Sequence, residues 1–262
     1  MTKTALVTGA ASGMGRIVAH RLAAAGYRVA AVDVNETGLA ETARRSPNMT
    51  TYTCDVSDTA AVTTLVDKVS AELGPIEHLV HAAALCRVGS TLAQGVPEMR
   101  RIMDINYIGT VNLCQAVIPA MRDAGSGTVV LFASVAGWLP SPGLAAYSAS
   151  KFAVVCYAEA LSLELAGSGV RLIAICPPHV ETPFLDGVRS VDPAILAGSS
   201  GMAPEKVVDA MEKAVANPKS PLFVFPGPAR PLWLARRFAP NLLRKQIARM
   251  VKPTVAADTR GE

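Results

Sequence analysis

The chain has 262 residues, half of them hydrophobic, 18% of them charged, and a formal net charge of +4. That balance suits one α/β domain of ordinary size with room for a dry interior, and the charge is too small to point to nucleic acid by itself. No apolar run approaches the roughly 18–20 residues that span a bilayer, which excludes a transmembrane helix.

The opening run Lys3-Thr4-Ala5-Leu6-Val7-Thr8 leads straight into a glycine-rich turn and reads as a first strand rather than a signal peptide. Short β-rich runs then alternate with longer helical ones. Strands are expected at 3–8, 28–33, 51–54, 77–82, 127–133, 170–176 and 221–225, and helices at 13–25, 36–44, 58–73, 97–123, 145–167 and 204–216. The alternation predicts an α/β fold: a single Rossmann-type doubly wound parallel sheet of about seven strands, helices on both faces, and a C-terminal helical extension. The division is a nucleotide-binding catalytic domain over 1–225 and the extension over 226–262, with no internal repeat or low-complexity segment. Cys54, Cys86, Cys114, Cys156 and Cys176 are widely spaced, odd in number and set among apolar neighbours. They read as reduced core residues of a cytoplasmic protein and argue against a zinc site, so no metal is expected.

Two regions break the rhythm. Residues 177–203 are rich in Pro, Gly and Ser and read as a mobile flap. Residues 226–252 carry Arg230, Arg236, Arg237, Arg244, Lys245, Arg249 and Lys252 without an acidic residue, and Leu232, Leu234, Phe238, Leu242, Leu243, Ile247 and Met250 recur at helical spacing. Pro240 is expected to divide this stretch into two short helices, as the first-turn proline of the second.

The first strand ends in Thr8-Gly9-Ala10-Ala11-Ser12-Gly13-Met14-Gly15. Gly9 allows a tight turn, Gly13 and Gly15 let backbone and helix approach a pyrophosphate, and the helix N-terminus offers unpaired N–H groups. The second strand closes on Asp33, eighteen residues after Gly15. An acid near that spacing accepts hydrogen bonds from the adenosine ribose hydroxyls and repels the 2′-phosphate of NADP. The pair predicts a nucleotide site that prefers NAD; Arg16, beyond the turn, is the residue that speaks for NADP.

Tyr147-Ser148-Ala149-Ser150-Lys151 opens a long predicted helix. Residues four apart share a helix face, so the phenol and the ammonium point together. A nearby ammonium lowers the phenol pKa from its usual value near 10, which lets the phenol exchange a proton with a substrate oxygen. Ser134 ends the candidate central strand, where open α/β sheets bind ligands, and its hydroxyl can hold that oxygen beside Tyr147.

With these residues in place, the chain resembles the classical short-chain dehydrogenase/reductase family over residues 1–225. Thr8-Gly9-x-x-x-Gly13-x-Gly15 matches the family's cofactor turn, and Ser134 with Tyr147-x-x-x-Lys151 its catalytic core. Asn106 matches the fourth catalytic residue, Asp55-Val56 the adenine-contacting pair, and Pro177-x-x-Val180-x-Thr182 the segment that holds the nicotinamide carboxamide. The resemblance implies that Tyr147 is the general acid/base and that Lys151 binds the nicotinamide ribose and lowers the Tyr147 pKa. It further implies that Ser134 orients the carbonyl and that Asn106 anchors a water in a proton relay through Lys151. Ser12, Met14 and Ala83 complete the expected cofactor contacts. The implied reaction is reversible hydride transfer between NAD and a secondary alcohol or ketone.

The chain departs from the family where His81-Ala82-Ala83-Ala84 stands for Asn-Asn-Ala-Gly and Pro177-Pro178 for Pro-Gly. His81 can replace the Asn hydrogen bond, while the Ala84 methyl removes backbone freedom. Trp138, Leu139, Pro140, Leu144, Phe184 and Leu185, with His179, are expected near the substrate, and suggest an apolar alicyclic, aromatic or lipid-like molecule. A cis-dihydrodiol dehydrogenase of the same fold and a non-catalytic NAD-responsive binding protein are the alternatives. The tail, through 229–252, can pack on its own domain, cover a neighbouring subunit or rest peripherally on an anionic membrane. A homodimer through 97–123 and 145–167, or a homotetramer, is expected by analogy.

Overall fold

The computed structural model describes residues 2–186, 201–227, 229–242 and 245. Its strands are β1 (Thr4–Thr8), β2 (Arg28–Asp33), β3 (Met49–Thr53), β4 (Ile76–His81), β5 (Gly127–Phe132), β6 (Val170–Ile175) and β7 (Phe223–Val224). They join in one seven-stranded sheet of order β3-β2-β1-β4-β5-β6-β7, with every neighbouring pair parallel. The helices are α1 (Gly13–Ala24), α2 (Glu36–Ala43), α3 (Thr59–Leu73), α4 (Val96–Met103), α5 (Gly109–Asp123), α6 (Ala145–Glu164), α7 (Pro204–Ala216) and α8 (Ala229–Phe238).

Because side chains alternate across a strand, each strand feeds two cores. Leu6, Ala30, Val32, Leu79, Val129, Leu131 and Ala174 face α3, α5 and α6, with Val62, Leu65, Val66 and Val69 as the buried stripe of α3. Val7, Val29, Ala31, Val80, Val130, Ile173 and Ile175 face α1, α2 and α7. Local chemistry fixes the helix ends: Asp58 caps α3 by accepting the Ala61 N–H at 3.0 Å, and Asn35 caps α2 by accepting the Gly38 N–H at 3.0 Å.

Three elements differ from expectation. The helix expected over 97–123 is broken by a π-helical segment, Asp104–Ile108, between α4 and α5. The wide turn falls on Asn106, a polar residue only 1% exposed, and such insertions gather at functional sites. The last strand shrinks to two residues, because Pro221 and Pro226 flank it and a proline cannot donate to the ladder. Of the expected flap, 177–186 and 201–203 are held by a bridge between Val180 and Met202, while 187–200 lie outside the described residues. In the extension, α8 ends at Phe238 and helical backbone resumes at Pro240. Leu243, Arg244, Ile247, Arg249, Met250 and Lys252 lie outside the described residues.

Strand order reverses between β1 and β4, so their carboxyl ends open the crevice in which such sheets take nucleotides. Thr8 and His81 are paired across it. The sheet that positions this crevice is a dry core, and Leu79, fully buried in β4, measures it: Leu79→Ala is expected to cost about 2–5 kcal/mol. Urea unfolding would read this as a lower midpoint at unchanged slope.

Candidate active site

The glycine turn sits hard against the end of β4. Gly9 has φ +69°, and a Cβ there would lie 2.8 Å from the Ala82 carbonyl carbon and the Ala83 nitrogen. A Cβ at Gly15 would run into the Gly9 carbonyl. Backbone therefore meets backbone, and α1 begins directly over the crevice. Ser12, at its N-cap, makes no capping bond with its side chain, and no acid stands in the first turn. The first N–H groups around Gly13 and Met14 thus remain for an anion, and a dinucleotide pyrophosphate fits that cradle. Thr182 closes it from the other side, its Cβ 3.5 Å from where a Gly13 Cβ would sit.

Asp33 closes β2 beside the turn. One carboxylate oxygen accepts the Ala11 N–H at 3.1 Å and the other the Asn35 N–H at 3.0 Å. Arg16 is engaged through Nη2, which lies against the Ala11 carbonyl, the Gly38 carbonyl at 3.2 Å and Glu41 Oε2 at 3.0 Å, while its buried Nε has no hydrogen-bond partner. Further along the crevice, Ser57 donates its hydroxyl and its N–H to Asp55 Oδ1 at 2.6 and 2.9 Å. The Ser57 hydroxyl bond is the main reason that the Asp55 carboxyl stays below its ordinary pKa. Val56 is fixed by Asn112 of α5, whose amide donates to the Val56 carbonyl at 2.9 Å. Asn112 escaped sequence reading, although an amide on the apolar side of a helix was the available signal.

At the end of β4, Thr8 Oγ1 accepts the N–H groups of Ala82 and Ala83 at 3.2 and 3.3 Å. Its own hydrogen therefore points to His81 Nδ1, 2.7 Å away. The imidazole is neutral, and burial, aided by the Lys151 charge, lowers its pKa to about 3. Ala84 is accommodated without strain, since among the described residues only glycines have positive φ. The next residue is gripped by Asn106: its Oδ1 accepts the Leu85 N–H at 2.7 Å and its Nδ2 donates to the Leu85 carbonyl at 2.9 Å. The same Nδ2 donates to Ser150 Oγ at 2.9 Å, and Ser150 donates to the Tyr147 carbonyl at 2.7 Å. Asn106 thus ties the β4 loop to the first turn of α6. Ser150, inside the Tyr–Lys motif, is the second residue that sequence reading passed over.

Tyr147 and Lys151 lie on the first two turns of α6, and Ser134 faces them from the end of β5. The Ser134 hydroxyl oxygen accepts the Ala136 N–H at 3.0 Å, which leaves its hydrogen to donate into the cleft. Burial raises the Tyr147 pKa above its ordinary value, the neighbouring Cys86 adds to the rise, and hydrogen bonding with Ser134 opposes it. Lys151 Nζ stands 5.9 Å from the phenol ring centroid and donates to the Phe132 carbonyl at 2.8 Å. Burial brings its pKa down to about 8. Pro177 accepts the Val135 N–H at 3.0 Å, joining the loop after β6 to the turn after Ser134.

The residues expected at the substrate separate into two groups. Phe184 stands beside Tyr147 with ring centroids 6.1 Å apart, Leu185 follows in the same short 3-10 turn, and Leu144 precedes α6. Trp138 instead packs edge-on against Phe223 at 5.0 Å and Trp233 at 5.9 Å and donates to Cys176 Sγ at 3.5 Å. Leu139 is buried, and His179 Nε2 lies 3.3 Å from Glu181 Oε1. Cys54, Cys86, Cys114 and Cys176 are buried, whereas Cys156, expected in the core, is exposed on α6. Burial pushes the Cys54 thiol up to about 11 and those of Cys86, Cys114 and Cys176 up to about 12. Among the described residues no cluster is suited to a metal ion.

Known proteins carry the same design. The family model described as short chain dehydrogenase matches residues 3–192. The 1-deoxy-11-beta-hydroxypentalenate dehydrogenase of Streptomyces avermitilis is 34% identical over 227 residues, covering 84% of this chain and 83% of that protein. A short chain dehydrogenase/reductase from Burkholderia phymatum in complex with NAD superposes with a TM-score of 0.78 at 25% identity, covering 97% of this chain and 96% of that one. A short chain dehydrogenase from Burkholderia cenocepacia in complex with NADP gives 0.79 at 26% identity, covering 96% and 98%.

The two buried histidines set an acid limit. His81 titrates at about 3 and His78, lowered chiefly by burial, at about 4, against 6.5 for the unfolded side chain. Their contribution to stability is complete above pH 6.5 and is lost as the pH falls, because only the unfolded chain takes up the protons. Each adds a slope approaching about 1.4 kcal/mol per pH unit below that point. Urea midpoints between pH 6.5 and 5 would show the decline, and His81→Asn would remove its share of the slope.

Proposed function

The chain belongs to the short-chain dehydrogenase/reductase family and is an oxidoreductase of alcohols and ketones with a nicotinamide cofactor; from that premise we propose that the cofactor is NAD and the substrate an apolar secondary alcohol or its ketone. The observation that carries the cofactor reading is Asp33 at the end of β2 beside the glycine turn, with Arg16 Nη2 directed to Glu41. A carboxylate held by the Ala11 and Asn35 N–H groups accepts ribose hydroxyls and repels a 2′-phosphate. The cation that would compensate such a phosphate is engaged by Glu41 and two carbonyls. The substrate reading rests on Phe184 beside the phenol, with Leu185 in the same turn and Leu144 ahead of α6, none of them a charged anchor.

Thr8, Gly9, Ser12, Gly13, Met14 and Gly15 would hold the pyrophosphate, Asp55 and Val56 the adenine, and Ala83, Pro177, Val180 and Thr182 the nicotinamide end. When bound, the nicotinamide accepts or donates the hydride and adds a positive charge in its oxidised form. Ser134 donates its hydrogen to the substrate oxygen and fixes it beside Tyr147. In the oxidising direction Tyr147, as phenolate, removes the hydroxyl proton; in the reducing direction the phenol returns it. Lys151 makes the phenolate accessible by placing an ammonium beside a group whose burial opposes ionisation. Asn106, through Ser150, keeps the β4 loop and the phenol in register.

Tyr147→Phe is expected to lower kcat by about 10²–10⁴-fold while NADH binding, followed by nucleotide fluorescence, stays near wild type. Normal turnover in the variant would remove Tyr147 from the chemistry. Asp33→Ser is expected to move the ratio of kcat/KM for NAD over NADP by about tenfold or more toward NADP, since one repelled phosphate and two ribose bonds change together. An unchanged ratio would refute the role of Asp33.

A further inference from the structure

We propose that α8 and the turn after it dock this chain on an anionic lipid surface. Between Glu212 and Asp258 the sequence holds no Asp or Glu but nine Lys or Arg. Of the chain's 25 Lys and Arg, the remainder are outnumbered by its 21 Asp and Glu, so positive charge is segregated to the tail. The same segment exposes large apolar side chains: Leu234 is 40% exposed, Phe238 76% and Leu242 60%. Leu234 and Phe238 are four residues apart on α8 and share a side. Exposed Arg230 stands one turn before Leu234, exposed Arg237 adjoins Phe238, and exposed Lys245 follows Leu242. A face that offers both cations and unshielded hydrocarbon matches the headgroup boundary of an anionic bilayer, where the two contributions reinforce each other.

The Trp233 side of α8, turned away from Leu234 and Phe238, is already anchored. Trp233 stacks on Phe225 at 5.6 Å and meets Trp138 edge-on at 5.9 Å. Phe225 follows the carboxyl end of β7, and Trp138 lies four residues beyond Ser134 at the carboxyl end of β5. In a parallel sheet these ends lie on one side, so the docking helix is fixed at the same end of the domain as the catalytic cleft. That a lipid-like substrate would reach the cleft from the bilayer rests on the substrate reading above; the docking does not.

The test is co-sedimentation of the full chain with vesicles of phosphatidylcholine and phosphatidylglycerol, against phosphatidylcholine alone, at low and high salt. Binding is expected with the anionic vesicles only, and salt should release it. Arg237→Gln with Lys245→Gln, and separately Phe238→Ser with Leu242→Ser, should each lower the partition coefficient by more than about tenfold. NADH binding, unchanged in both, reports that they fold. No binding of the wild-type chain, or wild-type binding by both variants, would overturn the proposal. So would sedimentation velocity without vesicles showing that the apolar variant dissociates an oligomer, because the face would then belong to a second copy. No substrate enters the measurement, so an error in the substrate reading leaves its outcome untouched.

Discussion

The close approach of two backbones, the glycine turn after β1 and the end of β4, is the constraint on which the rest of the molecule depends. Any side chain at Gly9 would collide with Ala82 and Ala83. The Thr8 hydroxyl then uses its whole capacity to bind the two strand ends together, accepting two N–H groups and donating to His81. With the strand ends locked, α1 starts over the crevice with its N–H groups free, and the β4 loop runs directly into the grip of Asn106. The glycine turn and the helix that bears Tyr147 and Lys151 are therefore positioned by one junction, of which His81 is part.

Electrostatics in the cleft are a balance of opposed costs. Burial raises the phenol of Tyr147 and lowers the ammonium of Lys151, so burial holds each toward its uncharged form. Lys151 Nζ stands 5.9 Å from the phenol ring centroid. His81 stays neutral in the same region, so that replacing an amide by an imidazole adds no competing charge. The buried thiols, all pushed well above neutral pH, likewise remain uncharged around Lys151.

Much of this was legible in the sequence because the responsible signals are short and local. Strand alternation, the turn Gly9-x-x-x-Gly13-x-Gly15 and the four-residue spacing of Tyr147 and Lys151 depend on neighbours in the chain, and β2 matched its expected bounds. What was hidden depends on contacts across many residues. The π-helical turn at Asn106 follows from an amide that must reach both Leu85 and Ser150. Asn112 looked like one polar residue in a helix until Val56 was seen to need a donor. Trp138, expected at the substrate, packs on Phe223 and Trp233, distant partners that no local pattern announces.

The aromatic junction has an optical consequence. The chain contains two tryptophans, and both stand in this junction, their rings 5.9 Å apart and nearly perpendicular at 81°. All indole emission and the indole part of the near-ultraviolet circular dichroism originate at the seam between the C-terminal helix and the turn that follows Ser134. Separation of that helix from the domain would change the coupling between two indoles and expose both to water. The unlabelled protein therefore carries its own reporter of whether the tail is seated, at a place four residues beyond Ser134.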